Sequence, residues 1–295
     1  MQSLTEKVVI ITGAGSGIGK AAAAAFAARG ARVVLVGRRQ AVLDKVVAEL
    51  SASLQSGQND LNSHNSQNVK SDFNTKNRRP GQLWAFAADI ARRSEVNALI
   101  GWAIGEFGRV DILVNNAGSA SRTLNARWIE EEEWDQVQEV NLKAVFLLTQ
   151  AVLPGMLSQQ NGTIITVSSL AALRPNLLGG AAYGAAKAGV RNFMTYLHNT
   201  FRNEGIRSTS ILPGEVNTPI MDNRANPPDV HIRENMVQPE DVAEAILLCA
   251  SLPSRTVIEE LIVAPTYQRD ISGDLEVSRW KNAPPSCQAE REKSR

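Results

Sequence analysis

The stretch that decides the fold is "VVIITGAGSGIGKAAAAAFAARGARVVLVGRR", residues 8–39. Its first five residues form an apolar, β-branched run without the polar alternation of a half-exposed strand. Such a run reads as a strand covered on both faces. Glycines at 13, 15, 17 and 19 follow, then an alanine-rich helical segment, then a second apolar run at 32–37. Glycine at such a turn lets the chain reverse tightly, lets backbone N–H groups approach a phosphate, and lets helix and strand pack closely. At a helix N-terminus the free N–H groups and the dipole suit a pyrophosphate. Gly13, Ser16, Gly17, Ile18 and Gly19 are therefore candidate nucleotide contacts.

The same rhythm continues outward. Further strands are expected at 82–87, 110–116, 162–169, 206–212 and 259–264, with helices at 17–29, 40–51, 93–107, 135–158, 182–204 and 239–251. Repeated strand–helix units imply right-handed crossovers and one parallel sheet, a doubly wound α/β (Rossmann) fold, with ligands bound at the carboxyl ends of the strands. A single domain over 1–264 is expected. Half of positions 51–82 are Ser, Asn or Gln. That composition buries too little apolar surface to offset the cost of ordering backbone, so 53–80 is expected to be a flexible, solvated insertion. The polar, proline-containing extension 265–295 is expected to be partly disordered.

Composition narrows the function classes. The 295 residues are 43% apolar and 21% charged, with a net charge of +1. That balance gives no reason to expect a nucleic-acid or membrane-surface partner. No apolar run approaches the length of a membrane span, and the opening residues run straight into a strand, so a cytoplasmic protein is expected. Cys249 and Cys287 make no CxxC pair, and His64, His198 and His231 have no metal-ligand spacing; no metal is expected.

Two local patterns carry chemistry. At the end of the second strand, Gly37 stands where an acid would accept from a ribose 2′-OH, and Arg38 and Arg39 follow. Guanidinium groups suit a 2′-phosphate, which favours NADP(H) over NAD(H). In "GGAAYGAAKAGV" (179–190), Tyr183 and Lys187 are four apart and share one helix face, among neighbours small enough to let a ligand approach. A free phenol ionises near pH 10; a nearby ammonium would lower that value and make the phenol a usable acid/base.

Taken together, "TGAGSGIG" (12–19), Asp89 in "AADI", "NNAG" (115–118), "EVNLKAVF" (139–146), "VSS" (167–169), "YGAAK" (183–187) and "PGEVNTP" (213–219) occur in one order over about residues 5–263. In this the chain resembles the classical short-chain dehydrogenase/reductase family. The resemblance implies Tyr183 as the acid/base, with Lys187 tuning it and holding the nicotinamide ribose. It implies Ser169, which closes the "SS" pair, rather than Ser168, as the hydrogen-bond donor to substrate oxygen. Asn141 would hold a water linking Lys187 to solvent. Asp89 and Ile90 would sit beside the adenine, with Ala117 and Gly118 along the cofactor path. Asn115 either lines that path or ties adjacent strands together. Pro213, Gly214 and Val216 would shape the turn after the sixth strand, and Thr218 would orient the carboxamide.

Glu215 is not required by the family pattern and is expected to be solvated. Residues 219–236 occupy the position of a lid, and the acids of 130–135 suit a helix start without a catalytic role. The "APT" at 264–266 resembles the ending of an NADP-dependent branch acting on small hydroxy or keto compounds. The implied activity is hydride transfer between nicotinamide and a secondary alcohol or ketone. A 3-oxoacyl thioester, a steroid-like ketone, or NADP(H) sensing without turnover are the alternatives. A homodimer or homotetramer is expected.

Overall fold

The computed structural model describes residues 1–63 and 81–293. Seven parallel strands form one sheet in the order β3-β2-β1-β4-β5-β6-β7. They are β1 Val8–Thr12, β2 Arg32–Gly37, β3 Gln82–Ala87, β4 Ile112–Asn115, β5 Gly162–Val167, β6 Ile206–Pro213 and β7 Glu260–Val263. Between them run α1 Gly17–Ala27, α2 Gln40–Ser63, α3 Arg93–Phe107, α4 Glu131–Gln138, α5 Ala144–Ser158 and α6 Ala181–Phe201. After β6 come α7 Val230–Glu234 and α8 Pro239–Ser251, and after β7, α9 Ser272–Arg279 and α10 Gln288–Lys293. The expected doubly wound sheet is present, with every expected strand in place to within a few residues and a helix at each expected position.

The apolar runs divide between two cores because successive strand residues point to opposite faces. Val9 and Ile11 pack with Phe26 and Ile246 on one side. Ile10 packs with Leu99, Leu113, Leu148 and Met194 on the other. Phe26 is fully buried between sheet and α8, a placement that contributes about 1.5–3 kcal/mol. The chain leaves β3 at one edge and re-enters at β4 on the far side of β1. This reversal opens a crevice at the carboxyl ends of β1 and β4, the usual ligand position in such sheets. Thr12 closes the seam below it. Its hydroxyl accepts from the Asn116 and Ala117 backbone N–H groups at 3.0 and 3.1 Å, and its carbonyl accepts from Asn116 Nδ2 at 2.9 Å.

Three expectations change. α2 continues to Ser63, so the first part of the expected insertion is helical. Leu54 packs against the core, and the Ser53 and Ser56 hydroxyls return to the carbonyls of Glu49 and Ser53, so polar residues extend the helix instead of competing with it. The remainder of the 53–80 reading falls on 64–80, outside the described residues.

Within the extension expected to be partly disordered, the described residues carry α9 and α10. Trp280 stacks on Trp128 with ring centroids 5.9 Å apart, Trp128 Nε1 donates to the Lys281 carbonyl, and Asp274 and Ser278 are buried. These partners lie far away in sequence, so local composition does not report them.

Finally, residues 131–158 form a continuous helical rod long and apolar enough, by length and composition, to cross a bilayer. Here its Ala144, Leu147, Leu148, Val152 and Met156 are buried in the protein core. The sequence reading undercounted this run because polar residues punctuate it.

Candidate active site

A cavity of about 850 Å³ extends along the carboxyl ends of the strands, from the start of α1 to the start of α6. Its floor at one end is the glycine turn. Gly13 and Gly17 have φ of 66° and 52°, the left-handed region in which glycine is unstrained. A Cβ on Gly13 would stand 2.9 Å from Ala117 Cα, and one on Gly17 3.0 Å from Thr218 Cγ2. Ser16 precedes the helix without capping it through its side chain. The first N–H groups of α1 are thus left for a ligand, with Ser16, Gly17 and Ile18 lining the cavity. Arg38 and Arg39 stand exposed on its rim and, among the described residues, form no ion pair. Asp89, Ile90, Ala117, Gly118, Pro213, Gly214, Val216 and Thr218 continue the lining. A dinucleotide fits this donor set and this cradle.

Two expected contacts do not reach the cavity wall. Gly19 packs under the turn, where a Cβ would press into the Gly13 carbonyl and lie 2.6 Å from Asn116 Nδ2. It serves close packing, one of the three glycine roles. Asn115 is buried at the end of β4 and donates to Thr166 Oγ1 at 3.2 Å. Of its two readings, tying adjacent strands together is the one the structure fits.

At the other end, Ser169, Tyr183 and Lys187 converge on the cavity. Ser169 follows β5, and its Oγ accepts the Ala171 N–H at 3.1 Å, which fixes its rotamer at the start of a 3-10 turn. Ser168, by contrast, is buried and donates to the Lys187 carbonyl at 3.0 Å. Gly180, with φ of 78°, turns the chain into α6 against Leu124. One helical turn then brings Tyr183 and Lys187 to the same face.

Burial pushes the Tyr183 phenol above its usual value, while a hydrogen bond with Ser169 and the charge of Arg224 pull it back. Burial brings the Lys187 ammonium down to about 8. Its Nζ bonds the Val167 carbonyl at 2.9 Å and lies 5.5 Å from the Tyr183 ring centroid. Two cations thus stand by the phenol: Arg224, whose charge lowers its value, and Lys187 over its ring.

Asn141 also lies behind the wall, on a π-helical turn over Glu139–Lys143 that joins α4 to α5. Its Nδ2 donates to the Val137 and Ser119 carbonyls, each at 2.9 Å, and its Oδ1 accepts the Ser119 N–H at 3.2 Å. A Cβ on Gly118 would sit 2.9 Å from Asn141 Oδ1 and 3.5 Å from Lys187 Nζ, so this glycine keeps amide and ammonium close.

Glu215 is not solvated as expected. Arg269 grips its carboxylate through Nε and Nη2, both at 2.9 Å, and Arg224 Nη1 lies 3.1 Å from Oε1. Arg269 Nη1 reaches Asp274 on α9 at 2.6 Å. Asn226 donates to the same carboxylate at 2.7 Å; burial opposes its ionisation, but these two bonds together with the charges of Arg269 and Arg224 hold its value below the usual one. The tail thereby forms part of the wall, with Arg269, Ile271 and Lys281 lining the cavity. The sequence reading missed Arg224 and these tail residues, which come from two separated segments with no shared spacing. Glu133, in the acidic run 130–135, accepts from the Arg122 and Thr123 N–H groups at 2.5 and 2.8 Å and braces the loop below Tyr183's helix.

The family model for short chain dehydrogenases matches residues 7–66 and 59–229. A 3-oxoacyl-[acyl-carrier-protein] reductase of Synechocystis is 34% identical over 261 residues, covering 88% of this chain and 94% of that protein. A solved metagenomic short-chain oxidoreductase in complex with NADP is 30% identical with a TM-score of 0.71, covering 90% and 100% of the two chains. A 3-ketoacyl-(acyl-carrier-protein) reductase from Brucella melitensis, complexed with NADH, is 30% identical with a TM-score of 0.72, covering 89% and 98%. This chain belongs to the short-chain dehydrogenase family. It is an oxidoreductase acting on CH–OH and C=O groups, with a nicotinamide dinucleotide as its cofactor.

Proposed function

We propose that the chain is an NADP(H)-dependent oxidoreductase interconverting a secondary alcohol and a ketone, with Tyr183 moving the proton. The observation that carries this reading is the convergence of Ser169, Tyr183 and Lys187 on a cavity that also contains the uncapped start of α1. The bound nicotinamide supplies or accepts the hydride.

The chain's own residues do the rest. Ser169, its hydroxyl held by Ala171, donates to the carbonyl oxygen and orients it. The Tyr183 phenol gives that oxygen a proton as it becomes an alkoxide, or takes one from the alcohol in the reverse direction. Lys187 would hold the ribose and adds positive charge beside the phenol, and Asn141 positions the neighbouring loop through Ser119. At the far end, Gly13, Ser16, Gly17 and Ile18 would offer N–H groups to the pyrophosphate, and Asp89 and Ile90 would flank the adenine. Arg38 and Arg39 suit a 2′-phosphate, which is why NADP(H) is proposed over NAD(H). Reduction of a 3-oxoacyl thioester by the same machinery is the second reading, favoured by the names of the Synechocystis and Brucella relatives.

The test is oxidation of NADPH and NADH across ketones, keto esters and 3-oxoacyl thioesters, with Tyr183→Phe and Arg38→Asp alongside. Turnover should vanish in Tyr183→Phe, and Arg38→Asp should weaken NADPH at least tenfold relative to NADH. Full activity of Tyr183→Phe would overturn the assignment of the acid/base, and an NADH preference in the unaltered enzyme would overturn that of the cofactor.

A further inference from the structure

Arg224 is anomalous among the cations around the cavity. It lies in the 219–236 segment, its side chain is 16% exposed, and it lines the substrate end beside Tyr183. Buried guanidinium groups ordinarily have their five N–H donors taken up by acceptors. Arg207, for comparison, donates to the Leu252 carbonyl, the Ala250 carbonyl and Thr163 Oγ1. Among the described residues, the Arg224 side chain donates no hydrogen bond of good geometry. Its Nη1 is enclosed without one, although Glu215 Oε1 is 3.1 Å away.

Glu215 Oε1 faces it at ion-pair distance but out of line for a hydrogen bond, and Arg269 holds both carboxylate oxygens in that orientation. Asp274 is held in the same way by Arg269 and Asn226. The two acids that balance Arg224's charge are therefore locked, and its hydrogen-bonding capacity is left over. Nearby, Lys281 Nζ bonds the Asn223 carbonyl, next to Arg224 in the chain, and also lines the cavity. With Arg174, these cations outnumber the one carboxylate, Glu215, among the lining residues of this end.

We infer that Arg224, supported by Lys281, is a specificity residue that grips a carboxylate on the substrate, so that the carbonyl compound reduced at Tyr183 is an oxo acid. This rests on the oxidoreductase reading and deepens it. A carboxylate supplies two coplanar oxygens, the complement of a guanidinium edge, and a charge that repays desolvation of the cation. It would also set the distance between the acid group and the reacting carbon, because Arg224 and Tyr183 line the same space. Arg269 is a positioning residue here. It holds the carboxylates of Glu215 and Asp274 together, and through Asp274 it ties the arrangement to docking of α9.

The experiment compares kcat/KM with NADPH for 2-, 3- and 4-oxo acids, each beside its methyl ester, and for a phosphorylated ketone, in the unaltered enzyme, Arg224→Gln and Arg224→Lys. At least one acid should exceed its ester by tenfold or more. That ratio should collapse toward one in Arg224→Gln and be partly retained in Arg224→Lys, which keeps the charge without the fork. Equal use of acids and esters, an unchanged ratio in both variants, or a preference for the phosphorylated ketone would each overturn the proposal while leaving the oxidoreductase reading intact.

Calorimetric titration with malonate gives a readout independent of turnover. Binding should survive in Tyr183→Phe and be lost in Arg224→Gln, with thermal melting confirming that both variants fold. Absence of turnover on every compound would overturn the oxidoreductase reading alone, and malonate would then decide the anion grip. Binding that is absent from the unaltered protein, or unaffected by Arg224→Gln, overturns it.

Discussion

Replacing Lys187 with methionine should change how the stability of the unliganded protein depends on pH. Lys187 is 4% exposed and has the Val167 carbonyl as its hydrogen-bond partner. Burial brings its pKa from 10.5 to about 8, which corresponds to about 3 kcal/mol of differential interaction between its charged and neutral forms. Between these two values the unfolded chain keeps the lysine proton while the folded chain has released it. The unfolded state therefore binds more protons, and stability rises with pH through that window.

Below pH 8 the folded protein carries a buried ammonium at full cost; methionine, of similar shape, carries none. Tyr183 acts in the opposite sense only above its ordinary value of 10, because its raised pKa leaves the folded state holding the extra proton there. Urea unfolding of the cofactor-free protein and Lys187→Met between pH 7 and 10 separates the two groups. The variant should be the more stable at pH 7, less the roughly 1 kcal/mol of a lost hydrogen bond. Its advantage should shrink by about 2–3 kcal/mol by pH 10. A difference that stays constant across the range would refute the buried, charge-disfavouring environment assigned to Lys187.

Two further substitutions probe the frame of the site. Gly19→Ala would drive a methyl group into the Gly13 carbonyl and to 2.6 Å from Asn116 Nδ2. Because the first obstacle is backbone, a loss of about 1–3 kcal/mol is expected, read as a lowered denaturation midpoint together with weaker NADPH binding. Trp280→Ala removes the stack on Trp128 and the hydrogen bond to Glu276, at a cost of about 1 kcal/mol from the aromatic pair beyond area burial. Limited proteolysis should then cut first within 265–293, with the sheet intact; unchanged proteolysis would mean that the tail is held elsewhere.

The sequence by itself determined the sheet, its direction and the ends of the cavity. Residues 8–39 read correctly because strand period, glycine geometry and helix start all act within one β–α–β unit. Tyr183 and Lys187 share one face of α6, as their spacing implies, because four residues on a helix are one turn apart whatever surrounds them. The tertiary structure decided what those local rules do not reach. Gly19 and Asn115 belong to motifs that touch the cavity, yet packing against Gly13 and Thr166 turns them inward. Glu215, Arg224, Arg269 and Asp274 have no mutual spacing in the chain, and they meet because the turn after β6, the 219–236 segment and the C-terminal tail are folded over one opening. Charge and burial at that meeting point depend on distances through space, which are fixed only when the loops have closed.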